Sequence, residues 1–430
     1  MTAAIKNISA PDLGFESQFD DYVDESAFLW LLRSRALYQP HYSPNDLAEL
    51  ESRIDSQLLA LSMAPESAWR SCQKALLLNE PGEVFTASVV AFQSLDVNRI
   101  QRAVEAASDT PAGLSALVSA LAWMPGRYCH EWLKRFLTSK EMDHKRLALS
   151  ACIARGEDPC DYLTRILRRE DCREDEALYA EAVRAAGVFK RRDLSPFIAE
   201  ARETEVTPLV FAANKAAILL GDRRAALGLT PLAVAPGPFQ REALSLGARV
   251  LPASEAKRWI TQVHQGPERG ADSSVQDPRL AIQAAGALGD PEVIPWLLGC
   301  MKNAVLARVA GEAFYQITGI HLEEHELSHR LPQLTHDESE DDPATPVPAP
   351  DEDEHLAWPN SEKITMFWHT VKHRFEPGQR YLLGRPVSME HARWVYQNGY
   401  QRQRRAAALE WALLEPMRPL PSLELRQEAL

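Results

Sequence analysis

Two stretches of this 430-residue chain follow one plan: AVRAAGVFKRRDLSPFI from Ala182 to Ile198, and AIQAAGALGDPEVIPWLL from Ala281 to Leu298. Aligned without a gap, Ala185-Ala186-Gly187 falls on Ala284-Ala285-Gly286, Pro196 on Pro295, and Phe197-Ile198 on Trp296-Leu297. The offset of 99 residues divides into three units of about 33, a period that belongs to stacked helical repeats.

Other copies fill the gaps. NKAAILLGDRRAAL places Ala216-Ala217 and Leu220-Gly221-Asp222 on the same plan, and LALSACIARGEDPCDYLTRIL repeats it with Asp158-Pro159 at the break. The runs EVFTASVVAFQSLDVNRIQRAVEAA, Leu117 to Leu137, and EALSLGARVLPASEAKRWITQV extend the series at spacings of about 29 to 37 residues. In each, a first helix carries Ala and Gly where a neighbour must come close, with apolar residues at helical spacing elsewhere. Gly289 can take the positive φ that ends a helix, Asp290 can accept the next helix's free N–H groups, and Pro291 needs no N–H partner there. Asp222 and Asp193 stand as caps without the proline. One such pair cannot bury both its faces, but a stack can. The expected fold is all-α: a HEAT-like α-solenoid of roughly seven helical pairs.

The ends differ. Residues 1–80 read as an N-terminal helical cap, with Ser43 capping a helix that begins at Pro44; residues 81–334 are the array. Residues 335–357 hold four prolines and nine acids with little that is large and apolar, the composition of a disordered or extended linker. Residues 358–430, with Trp358, Trp368, Trp394 and Trp411, read as a C-terminal module of two or three helices.

Taken in order, DESAFLWLLR, EPGEVFTASVVAF, GALGDPEVIPWLL, RVAGEAFYQITGI, RYLLGRPV and GYQRQRRAAALEWAL resemble an uncharacterised bacterial family of HEAT-repeat proteins encoded among type VI secretion genes. The resemblance spans nearly the whole chain, and its last two blocks are the most specific. It implies a setting beside spike, tip, adaptor or effector components, and no catalytic residues.

Charge bears on partners. Nine of the acids, from Asp337 to Glu354, lie in the linker and six more, from Asp12 to Glu25, near the N-terminus; without those 15 the formal charge of −13 becomes about +2. The body is near neutral and has no global field for nucleic acid. Local basic clusters remain. Arg191-Arg192 and Arg223-Arg224 follow equivalent first helices, and Arg402, Arg404 and Arg405 form a third group. Their partner is expected to be an acidic protein or the chain's own linker ahead of nucleic acid.

The sharpest chemical motif is HLEEHELSHR. His325-Glu326-Leu327-Ser328-His329 matches the zinc pattern H-E-x-x-H, and His321 to His325 its inverse. On a helix, His325 and His329 would share a face. Pro332 would stop that helix early and no G-x-x-H follows, so the stretch reads as a polar helix end ahead of a zinc hydrolase. Trp132, Trp259 and Trp296 occupy equivalent second-helix positions and read as repeated core plugs. The six cysteines lack a C-x-x-C and read as buried reduced thiols. No export signal or membrane-length apolar run is present, which sets a cytoplasmic expectation. The sum is a non-enzymatic protein-binding scaffold without cofactor or metal, an adaptor or chaperone-like accessory of type VI secretion. An immunity protein for a co-encoded toxin is the runner-up.

Overall fold

The computed structural model describes residues 13–265, 277–329 and 351–427, the side chains of 13–16 excepted. Linker residues 335–350, Pro332 and the first twelve residues lie outside the described part. The described residues divide into two compact units: 13–38, 42–181 and 422–427 form one; 39–41 and those between 182 and 421 form the other.

Unit 1 holds α1 (Leu13–Ala36), α2 (Pro44–Ser62), α3 (Pro65–Ala75), α4 (Pro81–Ser94), α5 (Val97–Ser108), α6 (Pro111–Trp123), α7 (Gly126–Thr138), α8 (Met142–Arg155), α9 (Asp161–Arg168) and α10 (Glu170–Glu174). The boundary falls inside α11 (Glu176–Val188). Unit 2 continues with α12 (Ser195–Arg202), α13 (Thr207–Leu219), α14 (Thr230–Val234), α15 (Gln240–Val250), α16 (Ala253–Gln265), α17 (Pro278–Leu288), α18 (Ile294–Cys300), α19 (Ala304–Thr318), α20 (Ser361–Val371), a two-residue hairpin β1 (Tyr381–Leu382) and β2 (Arg385–Pro386), α21 (Met389–Asn398) and α22 (Gln401–Leu414). Seven helix pairs, from α4 with α5 to α17 with α18, alternate along the chain, and no described helix is long and apolar enough to cross a membrane.

The packing within each unit is that of an α-solenoid. In unit 1, α4, α6 and α8 lie side by side, with α5 against both α4 and α6. In unit 2, α15, α17 and α19 lie side by side, and α16 and α18 each pack on the first helix that follows them. The first helices are buried nearly all round: α17 hides Leu280, Ala281, Ile282, Ala284, Ala285, Gly286, Ala287 and Leu288. The small residues serve that closeness. A Cβ on Gly187 would lie 2.5 Å from Ala216 Cα, so α11 and α13 meet backbone to backbone there.

The repeated break is a helix stop, a 3-10 turn and a new helix in both copies. Gly289 takes φ 73, and Asp290 accepts from Glu292 N at 3.0 Å. In the other copy, Lys190 stands where Gly289 does and takes φ 57. Arg191 fills the position equivalent to Asp290, so Asp193 is not a cap; it pairs with Arg191 at 2.7 Å instead.

Two expectations about packing are corrected. Trp259 is fully buried, whereas Trp132 and Trp296 are mostly covered but keep an exposed edge, Trp132 against Phe92 and Phe136 and Trp296 against His264. The second-helix tryptophan is therefore a full core plug in one repeat and a packed but partly exposed residue in the other two. Five cysteines are buried, and Cys160 is exposed on the turn before α9, where its φ is 54. Burial pushes the Cys72 and Cys152 thiols up to about 12, which keeps them protonated and unreactive. A water-soluble disulfide reagent is expected to titrate one thiol quickly in the native protein and all six in denaturant. Fast reaction of two or more would show that these helices open.

Candidate functional site

The HELSH stretch does not form the helix that zinc ligation needs. α19 ends at Thr318 with Gly319 in the left-handed region, and residues 322–326 are turns. Glu326 has φ 54, and Ser328 bridges Pro359 in extended backbone. The three histidines have other neighbours: His321 stands 5.2 Å edge-on to Tyr315, His325 Nδ1 lies 3.0 Å from the His321 carbonyl, and His329 N donates to the Trp358 carbonyl at 2.8 Å. Among the described residues no three His, Cys, Asp or Glu side chains converge as metal ligands. The expectation of a polar helix end is thus corrected to a non-helical turn.

The arginine clusters separate. Arg192, Arg223 and Arg224 are exposed on the 3-10 turns after α11 and α13, while Arg191 is held by Asp193. Arg404 is no surface residue: it is 2% exposed, with Nε on the Tyr396 carbonyl at 2.8 Å and Nη1 on Gln401 Oε1 at 3.1 Å. Arg405 is exposed, and Arg402 is half-buried against Glu312, to which it donates at 2.8 and 3.0 Å.

Arg402 belongs to a larger constellation. The end of the acidic linker is neither disordered nor extended, as its composition suggests, but an ordered turn: Asp351-Glu352-Asp353 is seated on arginines from four helices, which neutralise its acids. Arg279 of α17 grips Asp353 with two bonds of 2.5 Å. Arg308 of α19 donates to the Asp353 carbonyl at 2.8 Å and pairs with Asp351. Arg241 of α15 pairs with Glu352 at 3.4 Å, and Arg402 donates to the Glu352 carbonyl at 2.8 Å. Asp353 is buried, and its N–H, followed by Arg308 and Arg279, holds the Asp351 carboxyl below its usual range. Beyond it, His355, Leu356 and Ala357 wall one side of a cavity of about 240 Å³ that Glu312, Tyr315, His321, Tyr400, Arg402 and Gln403 also line. Burial raises the Glu312 carboxyl, and Arg402 opposes that shift.

The C-terminal helices brace the other end of these repeats. Arg380, just before β1, donates to the Leu288 carbonyl at 3.0 Å, the Ala287 carbonyl at 3.3 Å and the Arg249 carbonyl at 2.9 Å, satisfying the open ends of α17 and α15. Buried Glu410 of α22 pairs with both Arg380 and Arg249. Leu383 N and Gly384 N donate to the Gln316 and Ile317 carbonyls at the end of α19. Lys190 closes α13 through the Leu219 carbonyl and reaches the Ala412 carbonyl of α22 at 2.8 Å. The block RYLLGRPV is therefore a clasp.

Burial lowers Lys190 to about 8. Its folded value lies below the ordinary lysine value, so the unfolded chain binds more protons between pH 8 and about 10.5 and stability rises with pH across that window. Below pH 8 both states are charged and the burial cost is fully present. The stability difference between wild type and Lys190→Met is expected to move toward wild type from pH 7.5 to pH 10, by at most about 1.4 kcal/mol per pH unit. Urea titrations at both pH values check this, and a flat difference would rule it out.

Unit 1 offers a second surface. Helices α3 and α5 leave a groove of about 580 Å³ lined by Trp69, Leu76, Leu77, Arg99, Arg102 and Ala106 among others. Leu77 and Leu78 just after α3, Leu95 at the end of α4 and Val97 at the start of α5 are 54–80% exposed. Leu95 takes φ 57 at the end of α4, a place that suits glycine or asparagine.

Compared with family models, with curated proteins and with solved structures, the chain matches none.

Proposed function

We propose that the protein is a binding scaffold, a cytoplasmic adaptor or chaperone-like accessory that holds a component or cargo of a type VI secretion apparatus. The observation that carries the binding reading is the exposed aliphatic set Leu77, Leu78, Leu95 and Val97 beside the α3/α5 groove. Scattered apolar residues are ordinary on a surface, whereas apolar residues grouped beside a groove favour a contact surface. Leu95 strengthens it, since a left-handed leucine is strained and its exposed side chain gains little from the fold. The secretion setting rests on the resemblance of RYLLGRPV, GYQRQRRAAALEWAL and the earlier blocks.

The test is capture from native host cells with mass spectrometry, wild type against Leu77→Ser/Leu78→Ser/Leu95→Asn/Val97→Thr. Wild type is expected to retain a spike, tip or effector protein and the variant to lose it while unfolding at the same temperature or higher. Recovery of the same partners by both proteins would remove this surface from the reading. Recovery of a single neighbouring toxin, with rescue of cells that express it, would replace the adaptor role by immunity.

A further inference from the structure

We propose that Arg241, Arg279, Arg308 and Arg402 form a receptor for an acidic peptide segment, and that Asp351-Glu352-Asp353 fills it in cis as a displaceable plug. The partner this surface fits is a protein segment that presents Asp-x-Asp in a turn, as the cis ligand does.

The arginines are placed at a local cost. Arg241 and Arg279 are each the second residue of their helices, where the positive end of the helix dipole disfavours a cation. An anion held beyond the helix ends removes that penalty, and the two residues recur at the same position in successive first helices. Arg402 is aimed from the opposite element, steadied by both oxygens of Glu312. The row is thus built into the repeat.

The cis ligand shows what the row reads. The Asp353 carboxylate is met by two bonds from Arg279, those of Asp351 and Glu352 are paired through one oxygen each, and two main-chain carbonyls are met as well: that of Asp353 by Arg308 and that of Glu352 by Arg402, each at 2.8 Å. A nucleic-acid backbone presents phosphates but no such carbonyls, so the contacts select a peptide. The grip is uneven. Asp353 is 2% exposed, whereas the carboxylates of Asp351 and Glu352 and the Arg241 guanidinium are half or more exposed, which leaves a solvent-facing edge where exchange can start. A tethered ligand competes at high local concentration, so a free segment binds well only when the plug is weakened or the partner holds on elsewhere too.

This surface lies in unit 2 and is independent of the α3/α5 groove, so either test can fail alone. The probe is a fluorescein-labelled peptide of residues 351–358, DEDEHLAW, added to the full chain. Wild type is expected to bind weakly, and Asp351→Asn/Glu352→Gln/Asp353→Asn at least tenfold more tightly. Adding Arg279→Gln and Arg308→Gln to that variant should return the affinity to the wild-type level or below, and raising salt from 50 to 500 mM should weaken the tight binding. A plug variant with native circular dichroism that binds no tighter than wild type, or that prefers a DNA duplex to the peptide, overturns the proposal. A second measurement avoids dependence on that variant's folding. In wild type, millimolar peptide should speed hydrogen exchange at the amides of Asp353, Glu354 and Leu356, which the plug's own turn protects. Unchanged exchange at saturating peptide refutes the displacement.

Discussion

Replacing Glu410 by alanine is expected to cost about 3–5 kcal/mol of stability, because it leaves two guanidinium groups without their shared carboxylate. Arg249 is 7% exposed and Glu410 3%. Burial lowers the Arg249 guanidinium to about 10, with the neighbouring Arg380 charge adding to the fall and Glu410 acting against it. Arg380 would keep its carbonyl partners at the ends of α15 and α17 but lose the group that neutralises it. The loss should appear as a lower urea midpoint. Glu410→Gln, which keeps an acceptor, should recover only part of it. A loss below about 1 kcal/mol for Glu410→Ala would mean that water reaches Arg249 and the clasp is looser than its geometry.

The second large effect is expected in unit 1. Arg33 is 1% exposed; it meets buried Glu51 at 2.8 Å and donates to the carbonyls of Glu424 and Leu425 at 3.0 and 3.3 Å. Glu51 in turn accepts from Gln427 N at 2.7 Å. Both Arg33 and Arg426 lie over the Trp123 ring at 5.2 Å. Glu51→Ala removes the anchor of this tail as well as the partner of a buried cation, again about 3–5 kcal/mol. Thermal unfolding should record the loss, and limited proteolysis should cut within 422–427 in the variant but not in wild type. Equal resistance of both proteins would show that the tail is held by its other contacts.

Local chemistry explains which features could be read from the sequence. Gly289, Asp290 and Pro291 announce a helix stop and restart because φ, capping and the missing N–H are properties of neighbouring residues. The same reasoning found Ser43, whose capping box with Asp46 is formed. The hairpin was not legible: Leu383 and Gly384 both take positive φ, but Leu-Gly lacks the Asn-Gly signal of such turns. Arg404 was grouped with surface arginines because nothing in QRQRR says which guanidinium turns inward to the Tyr396 carbonyl. The row of Arg241, Arg279 and Arg308 was missed because its members are far apart in sequence and meet only through stacking. The one available signal was a cation in a helix's first turn, repeated in two first helices.

The clasp also limits how this unit can change over evolutionary time. An open stack of repeats lengthens or shortens by duplicating one brick, since each touches only its neighbours. Here Lys190, Arg380 and the hairpin join the exits of α13, α15, α17 and α19 to a single C-terminal segment of fixed span. Inserting or deleting a helical pair inside this set would put every later carbonyl out of register with its donor. The segment acts as a ruler, and repeat number in this unit is inherited as a block.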